Sequence, residues 1–324
     1  MILAGDIGGT KTLLGLFRPD APRPSRVSYG AYPTLEYSGL PEIIDAFLAT
    51  EKPAAPIQLA TFGVAGPVID QSAEMTNVPW RVDAAELSER FQFRYVRLLN
   101  DLEAMAYSVP VLTESELRQL QTGEPGAEGN IALIAAGTGL GTSLLHWIDG
   151  RHAPIASEGG HTDFAARTDR EIELIKFLRA RFGRAEVEHV LSGPGILNLS
   201  DFTHENGRCA ALAAAANSPD LPAEVSKSAL EGSCDCCVEA LDLFVSVYGA
   251  VAGNFALAAV TRGGVFIGGG IAPRILPALE NGTFIEAFNA KEPMRPLMEA
   301  MPVKVILNPD AGLLGAAVYA ARLD

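Results

Sequence analysis

Basic residues are scarce in this chain: 25 Lys and Arg stand against 39 Asp and Glu, a net charge of −14. A nucleic-acid binder needs a basic stripe to displace counterions, so that class of partner is excluded. An anionic ligand is not excluded, because a local loop overrides the global field. Long apolar runs are nearly missing too. The one membrane-like stretch, 243–260, is uncharged. Ser246 and Asn254 interrupt it, Gly249 and Gly253 dilute it, and Gly263-Gly264 end it before a strand-like Val265-Phe266-Ile267. It reads as a buried helix of a soluble domain rather than a membrane span. Asp6 follows so soon after Met1 that no signal peptide fits, and a cytoplasmic protein is expected. Cysteine is sparse: Cys209, Cys234, Cys236 and Cys237. Three of the four form Cys-Asp-Cys-Cys, but no second half of a zinc site is visible, so they read as reduced, incidental thiols.

What the chain does have is a glycine-rich loop that occurs twice. Gly5-Asp6-Ile7-Gly8-Gly9-Thr10-Lys11-Thr12 and Ala136-Gly137-Thr138-Gly139-Leu140-Gly141-Thr142 each lie between two short apolar runs. Glycine lets backbone N–H groups turn inward to form an anion nest, and Thr hydroxyls add donors. Two such units imply two related halves that grip one polyphosphate. The first loop misses the P-loop pattern, since Thr10 stands where its second glycine belongs. A β-like Leu13-Leu14-Gly15-Leu16-Phe17 follows instead of a helix. Neither loop completes G-x-G-x-x-G, which disfavours a dinucleotide fold. Both therefore read as β-hairpin cradles. Asp6 ends the first strand beside the expected phosphates, where a carboxylate makes sense if it holds Mg²⁺ through water.

Strands and helices alternate throughout, which indicates an α/β protein. The patterning predicts helices at 40–49, 102–107, 210–216 and 312–322 and strands at 57–63 and 95–99. The capping box Thr113-Glu114-Ser115-Glu116 predicts a further helix start. Residues 170–182 predict an amphipathic helix with Ile172, Ile175, Leu178 and Phe182 on its apolar stripe. Gly312, Gly315, Ala316 and Ala317 would let the last helix approach another backbone closely. The first domain boundary is expected between Val109 and Ser115.

Taken in order, these segments resemble the hexokinase/actin/heat-shock-chaperone ATPase superfamily, and more closely the bacterial ATP-dependent glucokinases. The first loop is similar to that family's phosphate-1 motif, and Leu98-Leu99-Asn100-Asp101-Leu102-Glu103-Ala104 to its connector. Residues 135–143 are similar to phosphate-2, and Val265-Phe266-Ile267-Gly268-Gly269-Gly270-Ile271-Ala272 to the adenosine motif. The resemblance runs from residue 2 to about 320. The related repressor/sugar-kinase group has a cysteine-rich zinc motif after its Gly-His segment. Here Phe164-Ala165-Ala166-Arg167 follows instead.

The resemblance implies a two-lobed, actin-like (ribonuclease H-like) ATPase fold with a cleft. The small lobe would comprise 1–110 plus about 305–324, and the large lobe 111–304. It implies MgATP held by Gly5, Asp6, Ile7, Gly8, Gly9, Thr10, Lys11, Gly137, Thr138, Gly139, Gly268, Gly269 and Gly270. It implies D-glucose held by Asn77, Asn100, Asp101, Glu158, His161 and Glu188, with Glu186 the alternative register for Glu188. Asp101 would be the general base for transfer to the 6-hydroxyl. A homodimer is a family expectation. Two rival readings are a kinase for another hexose and a non-catalytic sugar or nucleotide sensor on the same fold.

Overall fold

Strand Ile2–Ile7 is apolar at nearly every position because both of its faces are covered. Leu3 and Ile7 pack in one cluster with Leu40, Ile43 and Phe47. Ile2 and Ala4 pack in another with Leu313, Ala316 and Ala317. A strand buried on two sides loses polar alternation and reads as a continuous hydrophobic run. The computed structural model describes the chain except residues 76–77, 125, 127, 206, 216–217, 219 and 324. The chain divides into two units. The first comprises Met1–Glu114, His152–Ala156 and Asn308–Asp324, and the second Ser115–Arg151 and Ser157–Leu307.

In the first unit, Ile2–Ile7 forms a hairpin with Lys11–Arg18, Ile7 opposite Thr12. Ser25–Pro33 extends this sheet antiparallel beyond Lys11–Arg18. On its other side Ile2–Ile7 runs parallel to Leu59–Val64, which is parallel in turn to Tyr95–Asn100. Helix Leu40–Glu51 covers one face with Leu40, Ile43, Ile44 and Phe47. Helices Asp101–Ser108 and Ala311–Ala321 pack together on the other side. Their approach depends on Gly315, where a Cβ would stand 1.7 Å from the Ala104 carbonyl oxygen. Only a residue without one fits there.

The second unit repeats the plan. Ile131–Ala136 and Leu140–Ile148 form an antiparallel hairpin, Ala136 opposite Leu140. Ile131–Ala136 then runs parallel to Gly264–Gly268, which is parallel to Val303–Ile306. Leu117–Gln121 closes this edge antiparallel to Val303–Ile306. In both units, then, a glycine-turned hairpin lies beside two parallel strands. The hairpin reading of both loops holds.

Helix Asp235–Ala259 is the backbone of this unit's core, packed against Thr283–Asn289, Gly193–Thr203 and Leu221–Leu230. It is the one helix among the described residues long and apolar enough to cross a membrane, but 67% of its apolar window is buried inside the protein. Tyr248, fully buried on this helix, donates its hydroxyl to the Ile134 carbonyl at 3.1 Å. The same hydroxyl accepts from the Ala136 N–H at 3.2 Å. A buried phenol is tolerated because both of its hydrogen-bonding roles are filled.

Three expectations are corrected. Thr113-Glu114-Ser115-Glu116 opens no α-helix: Glu114–Glu116 makes one 3-10 turn and the chain continues as strand Leu117–Gln121. Pairing with Val303–Ile306 overrides the local cap signal. Helix Asp169–Phe182 forms, but Ile172 and Phe182 are exposed at 47% and 43% while Leu174 and Leu178 are buried. Its inward stripe even includes Glu171, 1% exposed and paired with Arg167. Finally, the cysteines are not isolated from other ligand-type side chains, as their sequence spacing implied. His204 and Cys209 lie beside Cys234 and Cys237.

Candidate active site

The first loop is a tight turn, with the Gly8 N–H donating to the Lys11 carbonyl at 3.1 Å. It is pinned from behind by a residue the sequence reading missed. Buried Thr34 donates from Oγ1 to the Gly8 carbonyl at 2.9 Å and lies 2.9 Å from Thr12 Oγ1. Its backbone N–H donates to the Thr10 carbonyl at 3.0 Å. No local pattern marks Thr34, because its partners lie more than twenty residues away. Thr10 and Lys11 are exposed, whereas Gly5 and Ile7 are buried.

Asp6, mostly buried, sits against the start of helix Ala311–Ala321. A Cβ at Gly312 would be 2.7 Å from its Oδ2. Burial pushes the Asp6 carboxyl up to about 7, with the Asp101 and Asp310 charges acting the same way and Lys11 opposing them. A carboxyl in this state gains from a hard divalent cation, which favours the ionised form. The oxygen donors here therefore fit Mg²⁺.

Strand Tyr95–Asn100 delivers the connector. Asn100 caps helix Asp101–Ser108: its Oδ1 accepts from the Leu102 and Glu103 N–H groups at 3.0 and 3.4 Å. Its Nδ2 donates to the Gly66 carbonyl at 3.2 Å, so most of this side chain serves the backbone. Asp101 is the first helical residue, exposed, with Oδ1 accepting from the Leu102 N–H at 2.8 Å. A helix N-terminus favours negative charge there. Asn77 lies outside the described residues.

In the second unit the Gly137 N–H donates to the Gly139 carbonyl at 2.8 Å, and the Gly137 carbonyl accepts from the Gly193 N–H at 2.8 Å. Gly193 begins helix Gly193–Thr203, which Ser192 caps by accepting from the Gly195 N–H at 2.9 Å. The Gly268-Gly269-Gly270 turn follows strand Gly264–Gly268, and Gly269 adopts φ 83°. A Cβ at Gly269 would lie 2.2 Å from the Ala136 carbonyl oxygen. Gly137, Thr138, Gly193, Pro194, Lys227, Gly270 and Arg274 help line a cavity of about 1050 Å³. Two expected phosphate and adenosine segments thus meet at one cavity. Helix Leu221–Leu230 contributes a wall that the sequence reading did not assign.

The segment at 157–164 is fastened to the same hairpin. Thr142 Oγ1 lies 3.0 Å from Ser157 Oγ and accepts from the Gly159 N–H at 3.1 Å. A Cβ at Gly160 would meet the Leu140 carbonyl oxygen at 2.2 Å. Glu188 Oε2 accepts from the Leu140 N–H at 2.7 Å. His161 Nδ1 lies 3.3 Å from Glu186 Oε1, and Glu186 pairs with Arg184 at 3.1 Å and His189 at 3.4 Å. Ligand atoms of His161, Glu186 and Glu188 all lie within 4.8 Å of one another. Both registers of the acidic segment thus reach His161, and Glu158 is exposed. An imidazole and two carboxylates at this spacing can bind vicinal hydroxyls by charge-assisted hydrogen bonds.

The sheets of both units and these loops define a sugar kinase of the two-lobed, actin-like ATPase class. The glucokinase family model matches residues 3–323. Glucokinase from Trichormus variabilis is 37% identical over 340 residues, covering 100% of this chain and 99% of its own. Among solved structures, a glucokinase from an Antarctic psychrotroph superposes with a TM-score of 0.87 at 31% identity, covering 99% of this chain and 98% of its own. A ROK family glucokinase from Streptomyces griseus, in complex with glucose and AMPPNP, shares the fold at a TM-score of 0.66 and 19% identity, covering 99% of both chains. The chain belongs to the glucokinase family, whose members phosphorylate glucose with ATP.

Proposed function

We propose that the γ-phosphoryl group of ATP passes to the 6-hydroxyl of D-glucose, with Asp101 receiving the hydroxyl proton. The loop at Gly5, Asp6, Ile7, Gly8, Gly9, Thr10 and Lys11 and that at Gly137, Thr138 and Gly139 cradle the phosphates, with N–H donors other than those of Gly8 and Gly137, which bond within their turns. The cavity at Gly270 and Arg274 takes the adenosine. Asn77, Asn100, Glu158, His161 and Glu188 bind sugar hydroxyls, and Glu186 orients His161. Asp6 holds Mg²⁺, through water. Bound there, the cation neutralises phosphate charge, which is the main electrostatic demand of phosphoryl transfer. The protein's own work is positioning: N–H groups hold the donor and carboxylates hold the acceptor in line.

The observation that supports this reading best is the hydrogen bond between Glu188 and the Leu140 N–H. It ties a sugar-segment carboxylate directly to the second phosphate hairpin. A coupled ADP-release assay over a panel of hexoses at fixed MgATP tests the proposal. Turnover greatest with glucose is expected. Greater turnover with another hexose would reassign the substrate, and no sugar-stimulated turnover would favour a sensor.

A further inference from the structure

Outside the substrate segments, four side chains of metal-ligating type meet where one helix ends and another begins. His204 closes helix Gly193–Thr203 at its C-terminus. Cys234 is the N-cap of helix Asp235–Ala259, and Cys237 lies in that helix's first turn. Cys209 precedes the short helix Ala210–Ala214. The ligand atoms of all four lie within 4.8 Å of one another, with His204 and Cys237 buried and Cys209 and Cys234 partly so. His204 Nε2 is 3.4 Å from Cys234 Sγ and 4.0 Å from Cys237 Sγ.

We propose that His204, Cys209, Cys234 and Cys237 form a structural zinc site. Tetrahedral zinc, with Zn–S of about 2.3 Å and Zn–N of about 2.0 Å, spaces its ligand atoms about 3.5–3.8 Å apart. The distances seen straddle that spacing. The histidine is already set for the task. Its Nδ1 lies 2.8 Å from the Ser200 carbonyl, which can only accept, so Nδ1 carries the proton. Nε2, facing the sulfurs, keeps its lone pair. A carbonyl that fixes the tautomer of a ligating imidazole is the usual support of such sites. The set Cys₃His is closed, with four protein ligands and no open position, as structural rather than catalytic zinc requires.

On binding, the three thiols release their protons to solvent and Zn²⁺ takes three thiolates and a neutral imidazole. The metal would lock the C-terminal end of helix Gly193–Thr203 to the start of the long core helix. Thr203 reinforces the junction by donating from Oγ1 to the Cys236 carbonyl at 2.9 Å. The other end of that helix, at Gly193 and Pro194, lines the large cavity. This role stands apart from the catalytic reading, and its test reads metal rather than turnover.

Full-length protein purified under reducing conditions should contain about one zinc per chain by mass spectrometry of its metals. Replacing the zinc with cobalt(II) should give the intense visible bands of a tetrahedral thiolate site. Cys234→Ser and His204→Ala should lose the metal, whereas Cys236→Ala should retain it. Should the variants fail to fold, the wild-type cobalt spectrum still decides. The proposal is overturned if wild-type protein holds no zinc and takes up none when it is added. It is equally overturned by an octahedral cobalt spectrum, by a disulfide among these cysteines after reduction-free purification in zinc, or by metal that follows Cys236 instead.

Discussion

Gly315 of the last helix lies directly against the Ala104 carbonyl of helix Asp101–Ser108, the helix that begins with the proposed base. There is no space for even a methyl group. Gly315→Ala must therefore push the two helices apart, at a cost of about 2–3 kcal/mol from overpacking. Chemical denaturation should show the lower midpoint. Because the shifted helix carries Asp101, turnover should fall as well. Unchanged stability would mean that the contact is looser than the structure indicates.

Asp101→Ala should lower kcat by roughly 10²–10⁴-fold, the scale for loss of a general base. Far-UV circular dichroism should stay native, since Asn100 still caps the helix. Wild-type turnover in the folded variant would remove Asp101 from the mechanism.

Glu188 holds the Leu140 N–H and is proposed to bind the sugar, and two substitutions separate these roles. Glu188→Gln keeps an acceptor for the Leu140 N–H but loses the charge. Glu188→Ala loses both and leaves a partly buried N–H without its partner, at about 1–3 kcal/mol. Glucose KM should rise about tenfold or more in both variants, as expected for a lost hydrogen bond to a charged group. Thermal stability should fall mainly in Glu188→Ala. Equal melting temperatures in the two variants would show that the loop does not depend on this bond.

Asp6 predicts a distinctive pH response. Its pKa is raised from 3.8 to about 7 in the fold, so the folded state holds a proton that the unfolded chain has released. Between about pH 4 and 7 this group therefore lowers stability as pH rises, by up to about 4 kcal/mol, with no further change above. Asp6→Asn should abolish this component, so melting temperatures of variant and wild type should diverge with rising pH. Mg²⁺ should raise the wild-type melting temperature more at pH 8 than at pH 5, and leave Asp6→Asn unmoved. Parallel pH profiles for the two proteins would contradict the raised pKa.

Some of this was legible in the chain and some was not, for definable reasons. Both glycine hairpins could be read because strand, turn and return strand are contiguous and glycine marks each turn. The connector was visible for the same reason: Asn100 ends a strand and starts a helix within one residue. The alternation failed at Ile172 and Phe182 because a helical stripe has two edges, and only packing decides which edge turns inward. The capping box at Thr113 was a valid local signal outcompeted by a strand partner nearly two hundred residues away. The same non-locality hid Thr34 behind the first loop. It also hid the meeting of His204 and Cys209 with Cys234 and Cys237, which only the packing of two helices creates.

The Gly137 turn has one further implication. At Gly137 itself the turn is held by main-chain bonds, from its N–H to Gly139 and from the Gly193 N–H to its carbonyl. Every residue type but proline carries those groups, so replacing Gly137 with alanine would leave them intact and register little beyond steric damage. Replacing individual amides with esters, or inserting a residue, would instead expose how far nucleotide affinity depends on the peptide bonds themselves.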